Sequence, residues 1–472
     1  MTPIKCDLLV IGAGSGGLSV AAGASQMGAD VVLLESHDMG GDCLNSGCVP
    51  SKALLACAGR THVLADAALA GGVDHLPPVD YGAAMDHVRD VIETIAPVDS
   101  QSRFEGLGVR VIRQRGRFIG RSEVAAGDTR ITARRIVIAT GSRPSVPPIQ
   151  GLEDVAYLTN ETLWALRQRP EHLIIVGGGA IGMEMAQAHL RLGCRVTVVE
   201  ADRVLSREDP EAAALVTEQL RQDGADILEQ TSATGLRQTA DQITLTTGTG
   251  QQITGSHLLI AVGRRANVED LGLEHAGVET TKTGIKVDAR LRSTNPKVYA
   301  IGDVAGQGQF THLAGYQASV ILRSLLFALP ARARADHIPR AIYTDPELAQ
   351  VGLPEAEARQ RYGARMEVAR VDYSHNDRAI TGGQTKGFIK VMVVRGRPVG
   401  ATVVGHQAGE LIATWSLAIA NRLKMSQIAA MVAPYPTIAE LNKRVAGAYF
   451  SPRLFESSVI KRGVRLVQDW IA

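Results

Sequence analysis

The chain is poor in cysteine and in aromatic residues, shows no strong charge of one sign, and has no long apolar run. Five cysteines (Cys6, Cys43, Cys48, Cys57 and Cys194) among 472 residues are too few, and odd in number, for the disulfide framework of a secreted scaffold. No apolar stretch reaches the ~20 residues of a membrane-spanning helix; the best candidates are broken at Glu184 and Arg323. The opening "CDLLVIGAG" meets glycine too soon for a secretory signal, so a cytoplasmic location is expected. With 50 basic against 48 acidic residues, the overall balance does not suggest a general nucleic-acid or membrane-surface binder.

Glycine is plentiful. Forty-nine glycines with 4% aromatics suit an α/β protein with many tight strand-to-helix turns, and the length suits about three domains. The sequence also repeats itself at one fixed offset. "LLVIGAGSGGLSVA" at 8 to 21 matches "LIIVGGGAIGMEMA" at 173 to 186, and "VVLLE" ending at Glu35 matches "VTVVE" ending at Glu200. Each copy reads as strand, glycine-rich turn, helix, and a second strand ending in an acid. Gly12 and Gly177 permit the tight turn. Gly14 and Gly179 let backbone approach a pyrophosphate, and Gly17 and Gly182 let helix pack on strand. The phosphates would lie on N–H groups at the helix start, and Glu35 and Glu200 would accept from ribose hydroxyls. One such motif is weak; two in strand–turn–helix context point to two dinucleotides, with hydride traffic between a nicotinamide and a flavin as the economical reading.

"GDCLNSGCVPSK" at 41 to 52 carries two cysteines. As a structural bridge, Cys43–Cys48 would close a tiny loop of little entropic value. A zinc site would need two more ligands at suitable spacing, which the sequence does not offer. On a regular helix, residues five apart have Cα atoms roughly 8.6 Å apart, beyond the ~7 Å that a disulfide tolerates. Gly47 and Pro50 allow a distorted first turn before the helical "SKALLACAGR". A redox disulfide held against a flavin uses every one of these features. Cys6 and Cys194 read as small buried apolar residues, and Cys57, on the same helix as Cys48, points to another face.

The stretch "GGDCLNSGCVPSK" resembles the active-site motif of the FAD-dependent pyridine nucleotide–disulfide oxidoreductases, the family of dihydrolipoamide dehydrogenase, glutathione reductase and mercuric reductase. The resemblance spans the chain: "RIVIATGSRP" at 135 to 144, "LLIAVGRRAN" at 258 to 267, "KVYAIGDVAG" at 297 to 306 and "YTDPELAQVG" at 343 to 352 follow in the family's order. It implies an α/β architecture with two Rossmann-type dinucleotide-binding domains plus a C-terminal α+β dimerisation domain. The expected boundaries are 1–148 for FAD, 149–266 for NAD(P), 267–336 for a central FAD-contacting domain and 337–472 for the interface of a homodimer. Gly41, Thr140, Gly141 and Asp303 would join the first motif around FAD, and Gly263 the second around NAD(H), with NADP(H) disfavoured by Glu200. The resemblance further implies that Cys48 lies nearer the flavin, that Cys43 attacks the substrate disulfide, and that Lys52 pairs with Glu184 beside the flavin.

One departure stands near the C-terminus. Thiol-handling members carry H-P-T-x-x-E there, contributed by the opposite subunit. This chain reads "PYPTIAE" at 434 to 440, keeping Glu440 but placing Tyr435 where the histidine acid/base would be. Tyrosine, with an ordinary pKa of ~10 against ~6.5 for histidine, is a poor base at neutral pH, and packing in an interface is an equal reading of it. Mercuric reductases also have tyrosine here, and "REDP" at 207 to 210 resembles a segment of theirs, but they end in adjacent cysteines, which this chain lacks. His406 and His312 are weaker candidates for a substitute base. The expected function is therefore an NAD(P)H oxidoreductase acting on a small or protein-bound disulfide. The alternatives are a soft metal ion reductase and a quinone- or oxygen-reducing flavoprotein or redox sensor. The tail "SPRLFESSVIKRGVRLVQDWIA" reads as a basic amphipathic helix, a packing face more readily than a membrane-surface segment.

Overall fold

The computed structural model describes residues 2–72 and 79–471. The first apolar run forms the strand Thr2–Ile11, with Leu8, Leu9, Val10 and Ile11 buried, as a parallel sheet covered on both faces requires. Around it, Arg110–Ile112, Val31–Leu34 and Thr129–Ile138 pair in parallel, and Val298–Ala300 returns to join Thr129–Ile138. The hairpin Gly116–Gly120 and Glu123–Ala126 completes the seven-stranded sheet. The second repeat builds a parallel sheet of four strands: Asp226–Leu228, Arg195–Val199, His172–Val176 and His257–Ile260.

The two segments that cross between these sheets are stitched together. Ser142–Pro144 pairs antiparallel with Arg264–Ala266. Asn267 donates from its side chain to the Thr140 carbonyl at 2.9 Å and from its backbone to the Gly141 carbonyl at 3.0 Å. Both sheets belong to one compact unit, residues 2–203 with 224–334.

The second unit joins residues 335–471 with 204–223, so a piece of the expected nicotinamide segment is assigned to the C-terminal unit instead. The charges of "REDP" account for this. Asp209 accepts from the Glu211 backbone N–H at 3.1 Å, capping the Pro210–Gln222 helix, and its other oxygen lies 2.7 Å from the buried Lys390 ammonium. Glu208 pairs with Arg340 at 3.0 Å. The core of this unit is an antiparallel sheet in the order Arg340–Ile342, Glu347–Gly352, Arg397–Gly405, Phe388–Val394, Met366–Asp372. The helices Ala408–Ala420 and Glu440–Phe455 contribute to its core, where the Trp415 indole donates to Asn442 at 2.7 Å. The tail does form a helix, Ser458–Ile471, and within this chain it buries no residue.

Candidate active site

The two glycine-rich turns have the same geometry. Gly12 and Gly177 take φ of +105° and +113°, and a Cβ at either would lie 2.4 or 2.5 Å from a carbonyl oxygen, of Ala139 and Ala261 respectively. A Cβ on Gly17 or Gly182 would meet the carbonyl oxygen of Gly12 or Gly177 at 1.9 Å, so helix and strand touch through glycine alone. Gly14 and Gly179 differ, since the chain leaves space beside them: the nearest atom to a Cβ is 3.9 Å away at Gly14, and nothing lies within 4 Å at Gly179. The helices Ser15–Gln26 and Ala180–Arg191 begin there with no side-chain cap, leaving N–H groups for an anion.

The terminal acids repeat as well. Glu35 accepts from the backbone N–H of Ala13 at 2.7 Å and of His37 at 2.7 Å. Glu200 accepts from Gly178 at 2.6 Å and Asp202 at 2.9 Å. Gly141 and Gly263 likewise have nothing within 4 Å of a Cβ. Asp303, in the Gly302–Ala305 turn, accepts from the Ser142 hydroxyl, and burial raises its pKa. The open, uncapped turns with their acids fit two dinucleotides.

The cysteine segment is seated on the first turn. Gly41 has φ +61°, and a Cβ there would lie 2.7 Å from the Gly14 Cα. The chain forms a short helix, Gly41–Asn45, breaks at Ser46–Gly47, and restarts as Cys48–Ala70. The break between the cysteines removes the regular-helix spacing that would hold them apart. It is pinned from outside the segment by residues that the sequence did not single out. Arg264 pairs with Asp42 at 3.0 Å, Asn160 donates to Asp42 at 3.1 Å, and the Trp164 indole donates to the Ser46 carbonyl at 3.1 Å. Gly47 leaves room for that segment: a Cβ would lie 2.7 Å from an Asp42 carboxylate oxygen and 3.0 Å from the Asp42 carbonyl oxygen.

No bond joins the two sulfurs in this structure, and Cys48 is the more exposed of the pair. Donating to Cys48, together with burial, pushes the Cys43 thiol far above its ordinary range. Cys48 is lowered to about 6, first by that hydrogen bond and further by the Thr311 hydroxyl and the Lys52 ammonium, against the opposing effect of burial. The Thr311 oxygen lies 3.5 Å from the Cys48 sulfur; it comes from the start of the Thr311–Phe327 helix, far away in sequence. Lys52 and Glu184 meet at 2.8 Å, with Glu184 buried in the second motif's helix. Cys6 and Cys194 are buried and pushed up to about 12 by desolvation.

In the C-terminal unit, Tyr435 is 71% exposed and donates to Asp377 at 2.9 Å, a partner absent from the motif. That hydrogen bond raises the phenol's pKa above its ordinary value. Glu440 does not bond Tyr435 among the described contacts. One of its oxygens lies 3.5 Å from Arg444, and the other is buried without a hydrogen-bond partner. Burial lowers the pKa of His406, and His312 stacks on Phe310.

Two dinucleotide turns and a thiol pair seated on the first of them define a flavoprotein disulfide reductase. The chain belongs to the pyridine nucleotide-disulphide oxidoreductases: that family's model matches residues 6–318, and the model of its dimerisation domain matches residues 338–446. It is 35% identical over 457 residues to a mercuric reductase of Streptomyces lividans, covering 94% of this chain and 96% of that one. It is 36% identical over 447 residues to a dihydrolipoyl dehydrogenase of Thermus scotoductus, covering 92% and 95%. Among solved structures it resembles the Cu(II) complex of RclA, an HOCl-induced flavoprotein disulfide reductase of Escherichia coli, with TM-score 0.83, 27% identity, and 93% and 99% of the chains covered. The protein is thus an FAD-dependent oxidoreductase using NAD(P)H. Among the described residues, no helix is long and apolar enough to cross a membrane.

Proposed function

We propose that this enzyme reduces a disulfide substrate, small or protein-bound, through Cys43 and Cys48, as a homodimer in which the Tyr435 segment of one subunit completes the thiol site of the other. The observation that carries this reading is the placement of the two thiols at the break between Gly41–Asn45 and Cys48–Ala70, with the Thr311 hydroxyl 3.5 Å from the Cys48 sulfur and the Lys52 ammonium favouring thiolate there. Bound FAD supplies the two-electron relay between the nicotinamide and the cysteine pair, held by Gly12, Gly14, Glu35, Gly41, Gly141 and Asp303.

Cys43 attacks one sulfur of the substrate, and its proton passes to the Cys48 thiolate. A mixed disulfide forms and one substrate thiolate leaves. Cys48 then gives that proton to the departing thiolate and attacks the Cys43 sulfur, closing the Cys43–Cys48 bond and releasing the second thiolate. The Lys52 ammonium, fixed by Glu184, favours negative charge on Cys48 throughout. Tyr435, whose hydroxyl donates to Asp377 and whose pKa is raised by that bond, is no base here; to assist the leaving thiolate the phenol would have to turn its proton away from Asp377.

A soft metal ion as substrate is the second reading. It is favoured by the exposed Tyr435 phenol and by the likeness to a mercuric reductase. A steady-state screen of the FAD-loaded enzyme with NADH against lipoamide, glutathione disulfide, Hg(II), Cu(II) and quinones separates the readings. Turnover of a disulfide that is abolished in Cys43→Ala is expected. Turnover of metal ions alone would establish the second reading, and quinone turnover indifferent to Cys43→Ala would sink both.

A further inference from the structure

We propose that the Ser458–Ile471 helix docks this enzyme on an anionic lipid surface. The helix has no buried residue, and its apolar side chains face solvent: Val459 is 75% exposed, Leu466 63%, Trp470 89% and Ile471 72%. At 3.6 residues per turn, these four fall with Ile460, Val464 and Val467 on one arc of roughly 160°. Lys461 flanks one edge of that arc and Arg462 the other, with Arg465 in the middle of the polar face. Among the described residues, none of the three cations has an ion-pair partner. At the end of the preceding helix, Leu454 and Phe455 are also exposed.

A wide apolar arc edged by cations, with tryptophan on the apolar side, matches the interface of a bilayer. Hydrocarbon takes the arc, and anionic headgroups take the flanking charges. The matched dimerisation domain covers residues 338–446, a stretch that does not include this helix, and a second copy of the chain is the competing occupant that the test separates. The near-zero charge balance of the whole chain conceals this local excess of Lys and Arg over the single acid, Asp469.

The test is co-sedimentation of the FAD-loaded enzyme with phosphatidylcholine vesicles, with and without phosphatidylglycerol, at low ionic strength. Binding is expected only with the anionic lipid, together with a blue shift of tryptophan emission that Trp470→Phe abolishes. Each neutralised cation should weaken partitioning by about fivefold, so K461Q/R462Q/R465Q should lose on the order of 100-fold. Val467→Glu should also fail to bind. Both variants should keep wild-type NADH-dependent turnover and the same oligomeric size. The proposal is overturned if the wild type stays in the supernatant with anionic vesicles, or if the triple variant partitions like the wild type. It is equally overturned if Val467→Glu breaks the oligomer, which would make a second copy the occupant.

Discussion

Neighbouring one another, Cys43 and Cys48 are shifted in opposite directions, which gives two identical side chains different work at the residue scale. Cys48, lowered to about 6, is a thiolate above that pH and a thiol below it. Long-wavelength absorbance between this thiolate and bound oxidised FAD should therefore appear in the two-electron-reduced holoenzyme and fade as pH falls through about 6. Cys43→Ala removes the largest cause of the shift, so its absorbance midpoint should move upward; Cys48→Ser should show no band. An undiminished band in Cys48→Ser would reverse the roles of the two sulfurs. Tyr435 makes a second prediction. Asp377→Asn replaces the charged acceptor, so the phenol should ionise at lower pH than in the wild type, read as the phenolate absorbance that Tyr435→Phe eliminates. Tyr435→His should raise disulfide turnover near neutral pH by ~10²-fold or more, the lower range of general acid–base catalysis. Rapid wild-type lipoamide turnover at neutral pH, unaffected by Tyr435→Phe, would return Tyr435 to packing and direct attention to His406.

Charges buried between elements hold the Pro210–Gln222 helix in the C-terminal unit. Lys390 is 6% exposed and sits against Asp209 at 2.7 Å and Glu355 at 3.0 Å. Removing one member of a buried ion cluster leaves its partners desolvated and unpaired, which typically costs 3–5 kcal/mol. Lys390→Met should lower unfolding stability by about that amount in a denaturant titration. The double change with Asp209→Asn should recover part of the loss. A Lys390→Met protein as stable as the wild type would mean that water reaches these carboxylates.

For the whole molecule, dinucleotide choice follows from the repeat. Glu200 lies over the second turn, bonded to two backbone N–H groups, where its charge repels a 2′-phosphate. NADH should be preferred over NADPH by on the order of tenfold in kcat/KM, a difference of ~1.4 kcal/mol, and Glu200→Ala should narrow that ratio. Arg203 is exposed nearby and is the residue to test next if NADPH proves the better substrate.

The sequence by itself determined what is local and periodic. The two glycine-rich turns and their acids are written out within about two dozen residues each, because a strand, a tight turn and a helix N-terminus impose residue types at fixed spacing. The nearness of Cys43 and Cys48 was also legible, through Gly47 and the short separation. The tertiary structure decided what depends on pairing across distance. Thr311, Asn160, Trp164 and Arg264 reach the thiol segment from remote elements, and Asp377 holds Tyr435 across 58 positions. Such partners carry no periodic signature, since any polar side chain of the right reach would serve. The Pro210–Gln222 helix belongs to the C-terminal unit for a similar reason: the charges of "REDP" are visible in sequence, but the buried lysine that they meet is not. For the tail the two levels divide cleanly. Its amphipathic period is sequence, whereas the exposure of its apolar face among the described residues is a property of the folded chain.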